Sequence, residues 1–213
     1  MSRLFSYVVA RDYGFAPNPF HGVCTLATCK PKIRQHAAIG DWIAGIAALG
    51  DKRTPSLVYV MQVDTALTFE EYWASPEFQC KRPSRTGSVK QALGDNIYSR
   101  ASDASPWQQI DSHHSFADGS PNPRNIENDT QQNRILIGRR FAYWGSEGPL
   151  IPKEFLGMNG QPAMTLTRGY KNQFPAEFVN AFINWFEERA EQGYLGKPFK
   201  WIKPKADWAR SKN

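Results

Sequence analysis

The sequence predicts an α+β domain in which a small, curved mixed sheet or partial β-barrel is packed by a C-terminal amphipathic helix. Short runs rich in aromatic and β-branched residues crowd the first third of the chain and read as strands. Near the other end, Phe178, Phe182 and Phe186 recur at i, i+4 and i+8, with Val179 and Ile183 beside them, which is one apolar stripe of a helix. Between the two lies a long stretch with almost no apolar period.

The strands come first. Residues 4–10 form one, ended by the turn-forming RDYG, and a short strand is expected within residues 23–28. Gly40-Asp41 makes a turn into a buried strand over 42–49, and SLVYVMQV over 56–63 is another. Thr68 and Glu71 stand at capping-box spacing, so a short helix runs to about Ala74 and stops before Pro76. From 79 to 133 Gly, Pro, Ser, Asn and Asp accumulate, and a loop of that length inside a domain is commonly functional or mobile. Strands return at 134–138 and 141–145. Pro175 then opens the striped helix over 176–192, ended by Gly193 and packed across the sheet.

Composition sets outer limits. The chain has 213 residues, 41% of them hydrophobic and 22% charged, which suits one folded domain over 1–196 followed by a basic tail over 197–213. That tail carries six of the 26 Lys/Arg and one of the 20 Asp/Glu, so the rest of the chain, with 20 cations and 19 anions, is nearly neutral. The net charge of +6 is thus a property of the tail, which suits a phosphate, an acidic protein partner or plain solvation. No run reaches the ~20 apolar residues of a membrane helix. The N-terminus lacks a secretory apolar core and the three cysteines are irregularly spaced, so a cytoplasmic, reducing location is expected, with no membrane contact.

The sequence contains no dinucleotide fingerprint, Walker A loop, zincin helix, nucleophile-elbow serine motif or C-x-x-C pair. Cys24, Cys29, His21 and His36 have zinc-type donors, but strand alternation from Cys24 puts the two cysteines on opposite faces. We therefore assign no metal and read the cysteines as small buried hydrophobes. The loop DSHHSFADGSPNPRN, residues 111–125, holds His113 and His114 with Asp111 and Asp118 nearby. Histidine titrates near neutral pH and a carboxylate can orient it, so His113, His114 and Asp118 are the candidate catalytic groups. The alternative is a solvated loop of Asx-turns. In the proline-rich stretch over 12–34 aromatic and cationic residues interleave, a pattern that suits a planar, anionic ligand but also ordinary core and surface.

RDYGFAPNPF, GVCTLATCKPKIR and IGDWIAGI resemble the nucleotide modification associated domain 2 family, as do DNIY at 95–98, the loop with His113 and His114, and FAYWG. The resemblance spans most of the chain short of the basic tail. It implies association with systems that modify nucleobases in DNA, and it carries over no catalytic residue. GDWI also resembles the strand entry of base-reading barrels of the PUA, ASCH and EVE kind, a fold-level likeness. The leading expectation is therefore binding of a nucleotide, or of DNA with a modified base: Asp12 and Asn18 on the base edge, Tyr13 or Trp42 stacking, Lys30 and Arg34 on phosphate. One alternative is a nucleotide- or base-processing hydrolase or transferase that uses His113 or His114. The other is a non-catalytic subunit of a modification or defence operon that meets its partner through the basic tail. No cofactor is indicated.

Overall fold

A computed structural model describes residues 2–48, 55–157 and 162–202. Six strands form the main sheet: β1 (Leu4–Val9), β3 (Trp42–Ala47), β4 (Leu57–Gln62), β9 (Phe141–Tyr143), β10 (Tyr170–Lys171) and β11 (Gly193–Tyr194). Their spatial order is β10-β1-β3-β4-β9-β11, with β1/β3 and β9/β11 parallel and the other pairs antiparallel. A second, antiparallel sheet has the order β2-β8-β5, from β2 (Cys24–Leu26), β8 (Ile135–Gly138) and β5 (Thr65–Leu67). The α+β architecture and mixed sheet expected from the sequence are present, and the sheet is not closed into a barrel.

Strand alternation distributes the side chains into layers. Leu4, Trp42, Ala44 and Ile46 face one way and meet Phe178, Val179, Phe182 and Phe186 of the long helix α5 (Ala176–Glu188), with Ile183 half-buried beside them. Phe5, Tyr7 and Ile43 face the other way, toward Cys24, Leu26 and Leu136 of the second sheet and Ile33 of α1 (Pro31–His36). The outer face of that second sheet, through Val23, Ile135 and Ile137, packs under Phe15, Phe20, Phe69, Leu93, Ile97 and Tyr98. Gly45 is required where the sheet faces Tyr59, because a Cβ there would lie 2.4 Å from the tyrosine ring.

The stretch expected to be one long loop contains α3 (Val89–Ala92), a two-stranded ribbon of β6 (Tyr98–Ser99) and β7 (Gln108–Gln109), and α4 (Pro123–Thr130). A capping box of Ser88 and Gln91 starts α3, and the Asn122 side chain caps α4. The Thr68–Glu71 capping box does start α2 (Phe69–Ala74). Helix α5 stops at Glu188, four residues short of the expected end, where Ala190 takes a positive φ of 51°. Leu49 lies outside the described residues, and β3 ends at Ala47. No described helix is long and apolar enough to cross a membrane.

Candidate functional site

The stretch over 12–34 leaves the end of β1, crosses the second sheet as β2 and enters α1. Most of its polar side chains are occupied inside the protein. Asp12, 3% exposed, accepts from the Tyr143 hydroxyl and from the backbone N–H groups of Gly14 and Phe199. Burial pushes its carboxyl above the usual range, against those donors. The Asn18 amide donates to the carbonyls of Gly14 and Leu93 and accepts from Lys81 Nζ at 2.7 Å. Lys81 is wholly buried and also donates to the Asn18 and Val23 carbonyls and to Thr25 Oγ1, while Thr25 and Tyr72 donate to the buried Asp95. Arg34 is wholly buried as well. Its guanidinium donates to the carbonyls of Cys29, Gln132, Arg134 and Asp129.

These placements revise the ligand set. Asp12, Asn18 and Arg34 are internal ties, because their donors and acceptors are consumed by the fold. Trp42 packs beneath Phe186 on the opposite face of the main sheet, far from a stacking role. Asp118 is exposed, its carboxylate accepts from the Ser120 N–H and hydroxyl, and the carboxylate on His114 Nδ1 is that of Asp129. Tyr13, Lys30, His113 and His114 do line cavities.

Two cavities meet along the wall made by Arg11, Ala16 and Cys29. The larger, about 670 Å³, is lined by Tyr7 and Tyr170 and by the cations Arg11, Lys30, Lys32 and Arg168. Lys30 Nζ sits 4.5 Å from the centre of the Tyr7 ring, and burial, joined by the nearby Arg168 charge, pushes its amine below the ordinary range. The smaller, about 210 Å³, is enclosed by Tyr13, Phe15, His113 and His114. Ring centroids there are 4.5 Å apart for Tyr13–His113 and 5.0 Å for Phe15–His113, so these rings pack on one another as one aromatic cluster.

Cys29 lies where the cavities join, with Lys30 in succession at positive φ, 57° and 42°, just before α1. Left-handed backbone at consecutive non-glycine residues is strained and makes a sharp elbow. Cys29 Sγ faces His114 Nε2 at 3.7 Å, and His114 Nδ1 donates to Asp129 Oδ2 at 2.7 Å. Asp129, fully buried at the end of α4, also accepts from the Cys29 N–H at 2.7 Å, the Tyr98 hydroxyl at 2.8 Å and Asn128 Nδ2 at 3.2 Å. Burial works to lower the His114 pKa, yet the Asp129 charge, Cys29 and the bonds to both push it up to about 10. For Asp129 burial acts upward, but His114 and the other donors hold the carboxyl below its usual range.

Each of Cys29, His114 and Asp129 offers a donor atom within 4.8 Å of the others, the one such group among the described residues. The two partners sit on opposite nitrogens of one imidazole, and both Asp129 oxygens are already bonded. The hydrogen bonds run in the order sulfur, imidazole, carboxylate, which is a relay. Cys24, by contrast, is buried in the core between the sheets, as alternation requires. Sequence reasoning missed both Cys29 and Asp129. The only local signal was a cysteine before Lys-Pro at a helix start, and the Asp129 partner lies 100 residues away.

The family model for nucleotide modification associated domain 2 matches residues 1–205. The chain belongs to that family. The match runs into the segment expected to be a separate tail, and the described part of that segment packs on the domain: Trp201 donates to the Tyr13 carbonyl and stacks 5.7 Å from Phe20. Trp208 lies outside the described residues. No curated protein and no solved structure matches this nucleotide-modification-associated chain.

Proposed function

We propose that this member of the nucleotide modification associated family binds a nucleotide, or a nucleotide unit of DNA, across the two joined cavities. One observation carries the reading: an aromatic-lined cavity and a cationic groove stand side by side and share the wall of Arg11, Ala16 and Cys29. A base has π-faces that suit the aromatic lining of the smaller cavity, Tyr13 foremost, and its phosphate suits Arg11, Lys30, Lys32 and Arg168. The family name supports the ligand class. Asp12, Asn18 and Arg34 shape the loop that carries these groups and do not touch the ligand.

Calorimetric titration with the four deoxynucleoside 5′-monophosphates at low salt tests it. Binding is expected, weakening as salt rises. Tyr13→Ala should cost about 1–3 kcal/mol of binding through lost stacking. Lys30→Gln combined with Arg168→Gln should flatten the salt dependence. Absence of binding to all four, or unchanged affinity in both variants, overturns the reading.

A further inference from the structure

We infer that Cys29 is a covalent nucleophile, that His114 moves its proton and Asp129 orients His114, and that the group attacked is an acyl carbon carried by the bound nucleotide. This rests on the nucleotide reading for the substrate class alone. The relay itself stands on geometry. Sulfur, imidazole and carboxylate are in sequence, with Nε2 toward the sulfur and Nδ1 toward the carboxylate. That order defines the nucleophile–base–orienter constellation, which recurs on unrelated folds.

Three further observations favour reaction over mere structure. Cys29 lines both cavities, so a ligand spanning them would lie against this residue. Its backbone is held in the left-handed region, and the Asp129 carboxylate and Arg34 guanidinium fix the elbow from both sides through the Cys29 N–H and carbonyl. Asp129 is wholly buried and its second oxygen is steered by Tyr98, so the imidazole is locked in one orientation. A cysteine needed only for packing requires none of this, as Cys24 shows.

The step balances without an external oxidant or reductant. The thiol proton passes to His114 Nε2 ahead of attack, giving the imidazolium that Asp129 favours, and Sγ then bonds to the carbonyl carbon of an amide or ester. The C–N or C–O bond breaks, and the leaving amine or alcohol takes that proton. Water then adds to the thioester carbonyl, its proton passes to Nε2, and the C–S bond breaks, which releases a carboxylic acid and restores the sulfur beside the His114 imidazolium. An amine in place of water would give transfer instead of hydrolysis.

The probe is p-nitrophenyl acetate, read by nitrophenolate release and by mass spectrometry of the intact chain and its peptides. The expected result is a burst of about one nitrophenolate per chain and an acetyl group on the Cys29 peptide. Both should be lost in Cys29→Ser and His114→Gln and retained in Cys80→Ser, which alters an exposed cysteine. Iodoacetamide should modify Cys29 on the order of tenfold faster than Cys80 at neutral pH, falling to the Cys80 rate in His114→Gln. Circular dichroism of Cys29→Ser, a change of one atom, controls for folding. No acetyl-Cys29, with Cys29 alkylating no faster than Cys80, overturns the inference even if nucleotides bind. Acetyl-Cys29 in a protein that binds no nucleotide leaves the relay standing and removes the nucleotide.

Discussion

Asp129→Asn is the most informative single change, because the four groups around this carboxylate are all donors: two N–H groups, a hydroxyl and the His114 ring. An amide of the same shape turns one acceptor into a donor and points it at donors. It also strips the counter-charge from His114. Removing one partner of a buried, hydrogen-bonded charge pair costs about 3–5 kcal/mol. For a chain of this size each kcal/mol moves Tm by about 2–4 °C, so a fall of roughly 6–20 °C is expected. The pKa effect has a definite sign. Burial lowers the His114 pKa, and Asp129 is first among the influences that raise it to about 10. In Asp129→Asn it should drop to the ordinary value or below, leaving the ring neutral at pH 7. Imidazole ¹⁵N chemical shifts across a pH series, beside thermal melts, measure both. A His114 still titrating above about pH 8, or a Tm within about 3 °C of wild type, would refute the coupling.

Arg34→Lys tests whether Arg34 is an internal tie. A single ammonium cannot reach the four carbonyls that the planar fork bridges, so denaturant melts should show a loss of about 2–4 kcal/mol, with slower alkylation of Cys29 as its elbow loosens. An unchanged midpoint with weakened nucleotide binding would restore the phosphate role. The His114 shift also gives a pH signature. A group whose pKa is raised from 6.5 to about 10 on folding contributes stability that is full below about 6.5 and is lost as pH rises through about 10. Wild type should therefore lose stability relative to His114→Gln between about pH 7 and 10, by at most about 1.4 kcal/mol per pH unit. Parallel curves would contradict it.

What the sequence showed and what it hid follow from the range of the interactions. The Thr68–Glu71 cap and the phenylalanine stripe of α5 are encoded within a few residues, and each has its counterpart in the fold, whereas β2 ends at Leu26, so strand alternation does not reach Cys29. β10 and β11 are two residues long and exist only through pairing with β1 and β9, so no local period marks them. Residues 79–133 looked structureless for a related reason: Leu93, Ile97 and Tyr98 enter a core whose other half is Phe15, Phe20 and Ile137. The ligand residues were misplaced by the same blindness. A polar side chain in a proline-rich loop looks available until its distant partner is known, and Asp12 meets Tyr143, Asn18 meets Lys81, and Arg34 meets Asp129, at separations of 131, 63 and 95 residues. Those partners fix the loop from behind, which is why the groups that reach the cavities are the ones left over: Tyr13, Phe15, Cys29 and Lys30. Internal satisfaction of the polar residues is thus the condition for a strained Cys29 elbow to hold its place between an aromatic cluster and a cationic groove.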